Sequence, residues 1–114
     1  MIAKPKKKSG KHALTKACEI PFSVKKIVFE RDGGRCLFCG SRGLPEAHFI
    51  PRSRHGLGIP ENIGTVCREC HDMFDKNASL RDEMEKDFRD HLEQFYPGFP
   101  DEDRIFKKWK GWAK

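Results

Sequence analysis

Residues 36–71 read CLFCGSRGLPEAHFIPRSRHGLGIPENIGTVCRECH. Two Cys-x2-Cys pairs bound this stretch, Cys36 with Cys39 and Cys67 with Cys70, and 27 residues separate them. The short spacer lets both sulfurs of a pair face one ion, and four thiolates delivered this way match tetrahedral Zn2+ at about 2.3 Å per bond. Gly40, directly after the first pair, suits a tight turn. The second pair falls where a helix begins, and the free N–H groups of a helix N-terminus favour anionic sulfur. A knuckle followed by a helix N-terminus is the treble-clef arrangement. The fifth cysteine, Cys18, has no partner at metal-site spacing and reads as a small apolar or idle thiol.

Around this stretch the composition calls for such a staple. The chain has 114 residues, 37% hydrophobic and 35% charged, which is one domain poor in core material for its length. No apolar run approaches the roughly 20 residues that span a bilayer. The opening MIAKPKKKSGK has a basic start without an apolar run behind it, so no secretory signal and a cytoplasmic chain are expected. In that compartment thiols stay reduced, and clustered cysteines more often hold metal than form disulfides. The net charge of +6 is uneven: residues 1–35 carry +7, 36–71 carry +1, 72–103 carry −7 and 104–114 carry +5. Basic ends around an acidic segment suggest that a polyanion meets particular faces of the protein. The acidic segment itself reads most simply as a solvated helix surface.

The expected architecture is α+β, a small zinc-stabilised domain. Residues 1–19 read as a basic flexible arm that could lie along phosphates. A core follows over 20–77, then a helical extension over 78–114. Within the core, Val24, Ile27 and Val28 recur at helical spacing, Ser23 is a plausible N-cap and Gly33-Gly34 stops the helix. Leu44 to Ile50 reads as a strand among Gly- and Pro-rich loops, and a helix is expected from about Val66. A longer helix is predicted over 79–95, with Leu80, Met84, Phe88, Leu92 and Phe95 as a stripe for core packing. Ile105, Trp109 and Trp112, with Lys107, Lys108, Lys110 and Lys114, suggest a final basic amphipathic helix.

The residues between the knuckles carry the functional signal. Leu44-Pro45-Glu46-Ala47-His48-Phe49-Ile50-Pro51-Arg52-Ser53, a Gly-containing loop, Asn62, and His71 directly after Cys70 occur in that order. Over roughly Pro21 to Asp75 the chain resembles the HNH endonucleases, whose pattern is a strand ending in His, an Ile-Pro-x-Ser segment, a Gly-rich loop, an Asn and Cys-x2-Cys-His opening a helix. The resemblance implies a ββα-metal (His-Me finger) core. It makes His48 the general base that takes a proton from water attacking a phosphodiester, a step suited to a neutral imidazole. Asn62 would orient the catalytic His and its loop. His71 would bind the catalytic divalent cation, Mg2+ or another such as Mn2+ or Ni2+, which stabilises charge on the phosphate and the departing 3′ oxygen. The implied partner is double-stranded DNA, cut to 5′-phosphate and 3′-hydroxyl ends. Small nucleases of this type resemble those of phages and mobile elements.

One position departs from the pattern. Many family members carry Asp or His immediately before the catalytic His as a second metal ligand, and here that residue is Ala47. Glu46 and Asp75 are the available substitutes: strand alternation sends Glu46 to the side of His48, and Asp75 shares the helical face of His71 four residues on. Either also reads as an ordinary surface acid. Arg52 and Arg54 in the loop, with Lys25 and Lys26 on the preceding helix, are candidate phosphate contacts or solubilising charges. His12, His55 and His91 read as surface residues. The alternative to a nuclease is a non-catalytic zinc-finger module that binds DNA without cutting it. A protein-interaction finger is a third reading, with no salt-dependent DNA affinity.

Overall fold

The computed structural model of the chain describes residues 13–107. The stretches 1–12 and 108–114, with His12, Trp109, Trp112 and the last lysines, lie outside the described residues. Four α-helices are described: α1 (Ala13–Cys18), α2 (Phe22–Asp32), α3 (Arg68–Lys76) and α4 (Ala78–Phe95). Between α2 and α3 run two strands, β1 (Leu44–His48) and β2 (Ile63–Val66), which pair antiparallel with Leu44 opposite Val66 and His48 opposite Ile63. The result is a small α+β unit around a two-stranded sheet. Among the described residues no helix is long and apolar enough to cross a membrane.

Local signals set most of the boundaries. Helix α2 stops at Gly33 in the left-handed region (φ 66), where the Gly33 and Gly34 N–H groups return to the Glu30 and Phe29 carbonyls. That left-handed closure needs no Cβ, hence the glycine. At its other end the cap is Pro21 and not Ser23, since proline pre-sets the backbone angle of an entry turn. Only Val28 of the expected apolar face is buried, and Ile27 is half exposed. Helix α3 begins at Arg68 and not at Val66 because Val66 is still paired to Leu44 in the sheet. Helix α4 is capped by Asn77, whose side chain accepts from the Ser79 and Leu80 N–H groups.

The core joins the sheet to α4. Met84, Phe88 and Leu92 are buried with Phe49, Val66 and Phe74, while the ends of the stripe, Leu80 and Phe95, are exposed. The Phe88 ring is central, with centroids 5.2 Å from Phe49, 5.6 Å from Phe74 and 6.0 Å from Phe38. Gly64 on β2 makes room for it: a Cβ there would stand 2.7 Å from Phe88 Cε1. The helical extension is thus built into the same core as the strands.

Two segments depart from the sequence expectation. Residues 13–18, assigned to the arm, form α1 and bury Cys18. Gly58 N–H bonds the Ala17 carbonyl at 3.1 Å, which ties α1 to the loop after β1. Near the other end, Ile105 is extended and bridges Gly56, so the expected final helix does not begin there. Arg104, read only as part of a basic tail, is fully buried. It donates to the Glu61 carbonyl at 2.6 Å and to Asp101 Oδ1 at 2.7 Å.

A buried carboxylate ties these elements together. Asp32, at the end of α2, accepts from Arg31 Nε at 2.7 Å, from His91 Nε2 of α4 at 2.7 Å and from the Thr65 N–H of β2 at 3.0 Å. Arg31 also donates to the Pro60 and Ile63 carbonyls, each at 2.8 Å. His91, expected on the surface, is therefore half of a buried contact. Burial alone would raise the Asp32 carboxyl, but the His91 and Arg31 hydrogen bonds outweigh it and hold the group far below the ordinary carboxylate range.

Asp32→Asn should therefore lower stability by about 3 kcal/mol in urea unfolding at pH 7, since it leaves Arg31 without its ion-pair partner. A folded-state pKa depressed below the unfolded value near 3.9 contributes stability that is present above that pH and lost as pH falls through the folded value. The gap between wild type and variant should accordingly be constant near neutrality and shrink below about pH 4.

Candidate metal centre and adjoining cleft

The first knuckle is a turn closed on itself. Gly40 N–H bonds the Cys36 carbonyl at 2.9 Å, and Cys36 N–H bonds the Ser41 carbonyl at 2.6 Å. Gly40 takes φ 81 to allow this. Leu37 N–H reaches the Thr65 carbonyl at 2.9 Å, anchoring the knuckle to β2. The second knuckle is the start of α3, where the Cys67 Sγ caps the helix by accepting from Cys70 N–H at 3.4 Å.

These two structures bring all four sulfurs within 4.8 Å of one another. Cys39 Sγ and Cys67 Sγ are 3.7 Å apart, close to the about 3.8 Å that four 2.3 Å bonds at tetrahedral angles imply. The set is suited to a metal ion and could hold zinc. Hydrogen bonding from Ser41 pulls the Cys39 thiol down to about 6, and Cys70 N–H lowers Cys67, while burial raises Cys70. Binding a metal as thiolates would thus expel the protons that these thiols still carry. Cys18 lies outside this group, buried near His48.

A cleft of about 1020 Å³ opens beyond the end of β1, lined by residues that include Lys25, Glu46, His48, Arg52, His71 and Asp75. The strand alternates as expected: Pro45 and Ala47 are buried, whereas Glu46 faces out and His48 is half buried. His48 Nε2 lies 2.8 Å from the Cys18 carbonyl. A carbonyl can only accept, so Nε2 carries the proton and Nδ1 keeps its lone pair. Burial lowers the His48 pKa most; the Cys18 hydrogen bond raises it, and the Arg52 charge lowers it further. The net shift is downward, which keeps the ring neutral near pH 7.

Around His48 the expected partners are only partly assembled. His71 Nε2 stands 3.4 Å from Asp75 Oδ2 across one turn of α3. Glu46 is instead 3.5 Å from Lys25 Nζ, and among the described residues only the four cysteines converge as a metal-ligand group. Asn62 is fully buried, and its side chain bonds the loop backbone and not the His48 ring. Its Oδ1 accepts from Ile50 N–H at 2.9 Å, and its Nδ2 donates to the Ile50 and Leu57 carbonyls at 3.2 and 2.8 Å. It therefore shapes the loop after His48. Arg52 and Arg54 are exposed on that loop and line the cleft, with Arg54 3.9 Å from Glu85. Lys26 is exposed but does not line the cleft.

Two contributors to the cleft escape sequence reasoning. Arg81 of α4 lines it, held by the Phe74 carbonyl at 2.7 Å and by the Phe74 ring, 4.1 Å from its guanidinium. The Cys18 carbonyl carries no side-chain signature at all.

The protein as purified should hold one equivalent of tightly bound metal by elemental analysis. Chelation, or Cys70→Ala, should lower the thermal midpoint by about 10 °C or more, since a lost staple of roughly 2–3 kcal/mol shifts a domain of this size by that amount. An unchanged midpoint after complete metal removal would show that the cysteine set does not stabilise the fold.

No family model, curated protein or solved structure matches this chain.

Proposed function

We propose that the chain is a metal-dependent DNA endonuclease of the HNH kind, with a structural zinc on Cys36, Cys39, Cys67 and Cys70 completing a treble-clef, ββα-metal core. The observation that carries this reading is His48, half buried at a cleft, with Nε2 engaged by the Cys18 carbonyl at 2.8 Å. A histidine held as the neutral Nδ1-basic tautomer is prepared to accept a proton.

In the proposed reaction Nδ1 of His48 takes a proton from a water molecule as its oxygen bonds to phosphorus. The phosphorus–O3′ bond breaks, leaving 5′-phosphate and 3′-hydroxyl ends, and solvent protonates the departing oxygen. His71 and Asp75 would hold the catalytic divalent cation; an imidazole beside a carboxylate on one helical face suits Mn2+ or Ni2+ better than the oxygen-preferring Mg2+. That ion, when bound, supplies charge stabilisation at the phosphate and the leaving oxygen. Asn62 keeps the loop carrying Arg52 and Arg54 in place, where both guanidinium groups can fork onto phosphates. Lys25 and Arg81 add two further cations to the lining of the same cleft.

A second reading, a zinc-finger module that binds DNA without cutting, draws on one observation. Ala47 is buried and Glu46 pairs with Lys25, so no third ligand joins His71 and Asp75 among the described residues. Metal content separates the two: the nuclease takes up a second divalent ion that His71→Ala abolishes, whereas the binder holds zinc alone.

Incubated with supercoiled plasmid and Mg2+, Mn2+ or Ni2+, the protein should generate nicked circles, and His48→Ala should slow this about 10²–10⁴-fold. Absence of metal-dependent nicking, or nicking unchanged in the variant, would overturn the nuclease reading.

A further inference from the structure

A second cleft, of about 650 Å³, lies at the opposite end of β1 and includes Phe29, Leu44, Arg35, Arg42 and Arg68 in its lining. Its three arginines are placed where the folded chain by itself disfavours them. Arg35 and Arg42 face each other across an isolated antiparallel bridge, and like charges directly opposite one another are destabilising. Arg68 opens α3, the helix end at which the dipole repels a cation. Among the described residues none of the three has a carboxylate within ion-pairing distance. Arg35 makes one long hydrogen bond, 3.4 Å to the Gly40 carbonyl. Arg89 and Arg104, by contrast, both reach Asp101 at 2.7 Å, and Arg81, which has no ion pair among the described residues, is held by the Phe74 carbonyl at 2.7 Å.

The adjoining thiolates do not account for this concentration. A zinc tetrathiolate carries about −2, and Cys67 lines the same cleft, yet three guanidinium groups leave an excess of positive charge there. The two clefts also follow one another along a single face. Leu44 lies in the second, while Glu46 and His48 lie in the first; on α2, Phe29 lies in the second and Lys25, one turn earlier, in the first. From Leu44 to His48 the strand, with an irregularity between Leu44 and Ala47, advances at most about 13 Å at roughly 3.3 Å per residue, so one DNA backbone can run past both clefts.

We propose that Arg35, Arg42 and Arg68 form a phosphate clamp for the DNA leaving the catalytic cleft. The choice of DNA rests on the endonuclease reading, whereas the clamp itself rests on unpaired, mutually repelling charge. Phe29 and Leu44, both about half exposed, provide the apolar part of the second cleft.

The test is fluorescence anisotropy of a labelled duplex of about 20 base pairs with zinc-loaded protein across a salt series, without added catalytic cation, so that binding is read apart from cutting. Arg35→Gln/Arg42→Gln/Arg68→Gln should weaken binding at least about tenfold at low salt. It should also make the slope of log affinity against log salt shallower by about 2.7, at roughly 0.9 for each phosphate no longer neutralised. Zinc content should be unchanged. Arg42→Gln alone, in an exposed side chain, should remove about 0.9 of that slope and serves if the triple variant fails to fold. Wild-type slope and affinity in these variants would overturn the clamp, as would loss of zinc by the folded triple variant or absence of salt-dependent binding by wild type. Failure of plasmid nicking with the salt effects intact would remove the nuclease reading and leave the clamp standing.

Discussion

The Asp32 carboxylate is the point through which α2, β2 and α4 are held to one another. It is nearly inaccessible to solvent, with 1% of its side chain exposed, and a lone buried charge of this kind would cost several kcal/mol. Three donors from three elements remove that cost: Arg31 beside it, Thr65 N–H on the strand and His91 on the long helix. Arg31 in turn directs further N–H groups to the Pro60 and Ile63 carbonyls at the start of β2. The pairing of β2 with β1, and with it the direction in which His48 leaves the sheet, depends on this network.

Along the same strand, β2, the first cysteine knuckle is anchored beside Asp32, since Leu37 N–H and the Asp32 carboxylate both bond Thr65. The first knuckle is bonded to β2 through Leu37 and Thr65, and the second begins α3. Bringing the sulfurs within 4.8 Å therefore sets where α3 starts, and His71 and Asp75 follow on its first two turns. The candidate catalytic cleft is bounded by the strand that carries His48, the helix that carries His71 and the segment that supplies the Cys18 carbonyl. None of these is a long element, and a cysteine cluster suited to a metal ion and a buried ion pair supplement the small core.

Charge is distributed to match. The acidic surface belongs to α4, whose buried face is Met84, Phe88 and Leu92, and its exposed acids are largely solvated or paired. The strand's outward face instead runs between two clefts edged by arginine and lysine. A net excess of positive charge over the whole chain would attract any polyanion, and beside His48 this face mixes Lys25, Arg52, Arg54 and Arg81 with the acids Glu19, Glu46 and Asp75.

Much of this was legible in sequence because it is encoded over short distances. A Cys-x2-Cys spacer, a Gly-Gly stop, strand alternation through Glu46, Ala47 and His48, and a stripe of Met84, Phe88 and Leu92 each depend on the backbone period of one element. They determined the α+β class, the cysteine set, most helix boundaries and the side of the strand on which His48 lies. What only the tertiary structure decided involves partners far apart in the chain or without a side-chain signature. Asp32 meets His91 59 residues away, and His48 meets a carbonyl 30 residues away. Arg35 comes to oppose Arg42 only once the knuckle between them has closed. Glu46 illustrates the same limit: alternation correctly turned it toward the cleft, but Lys25, from another element, decided what it touches there. Periodicity specifies the face a residue occupies, and only packing between elements specifies its neighbour.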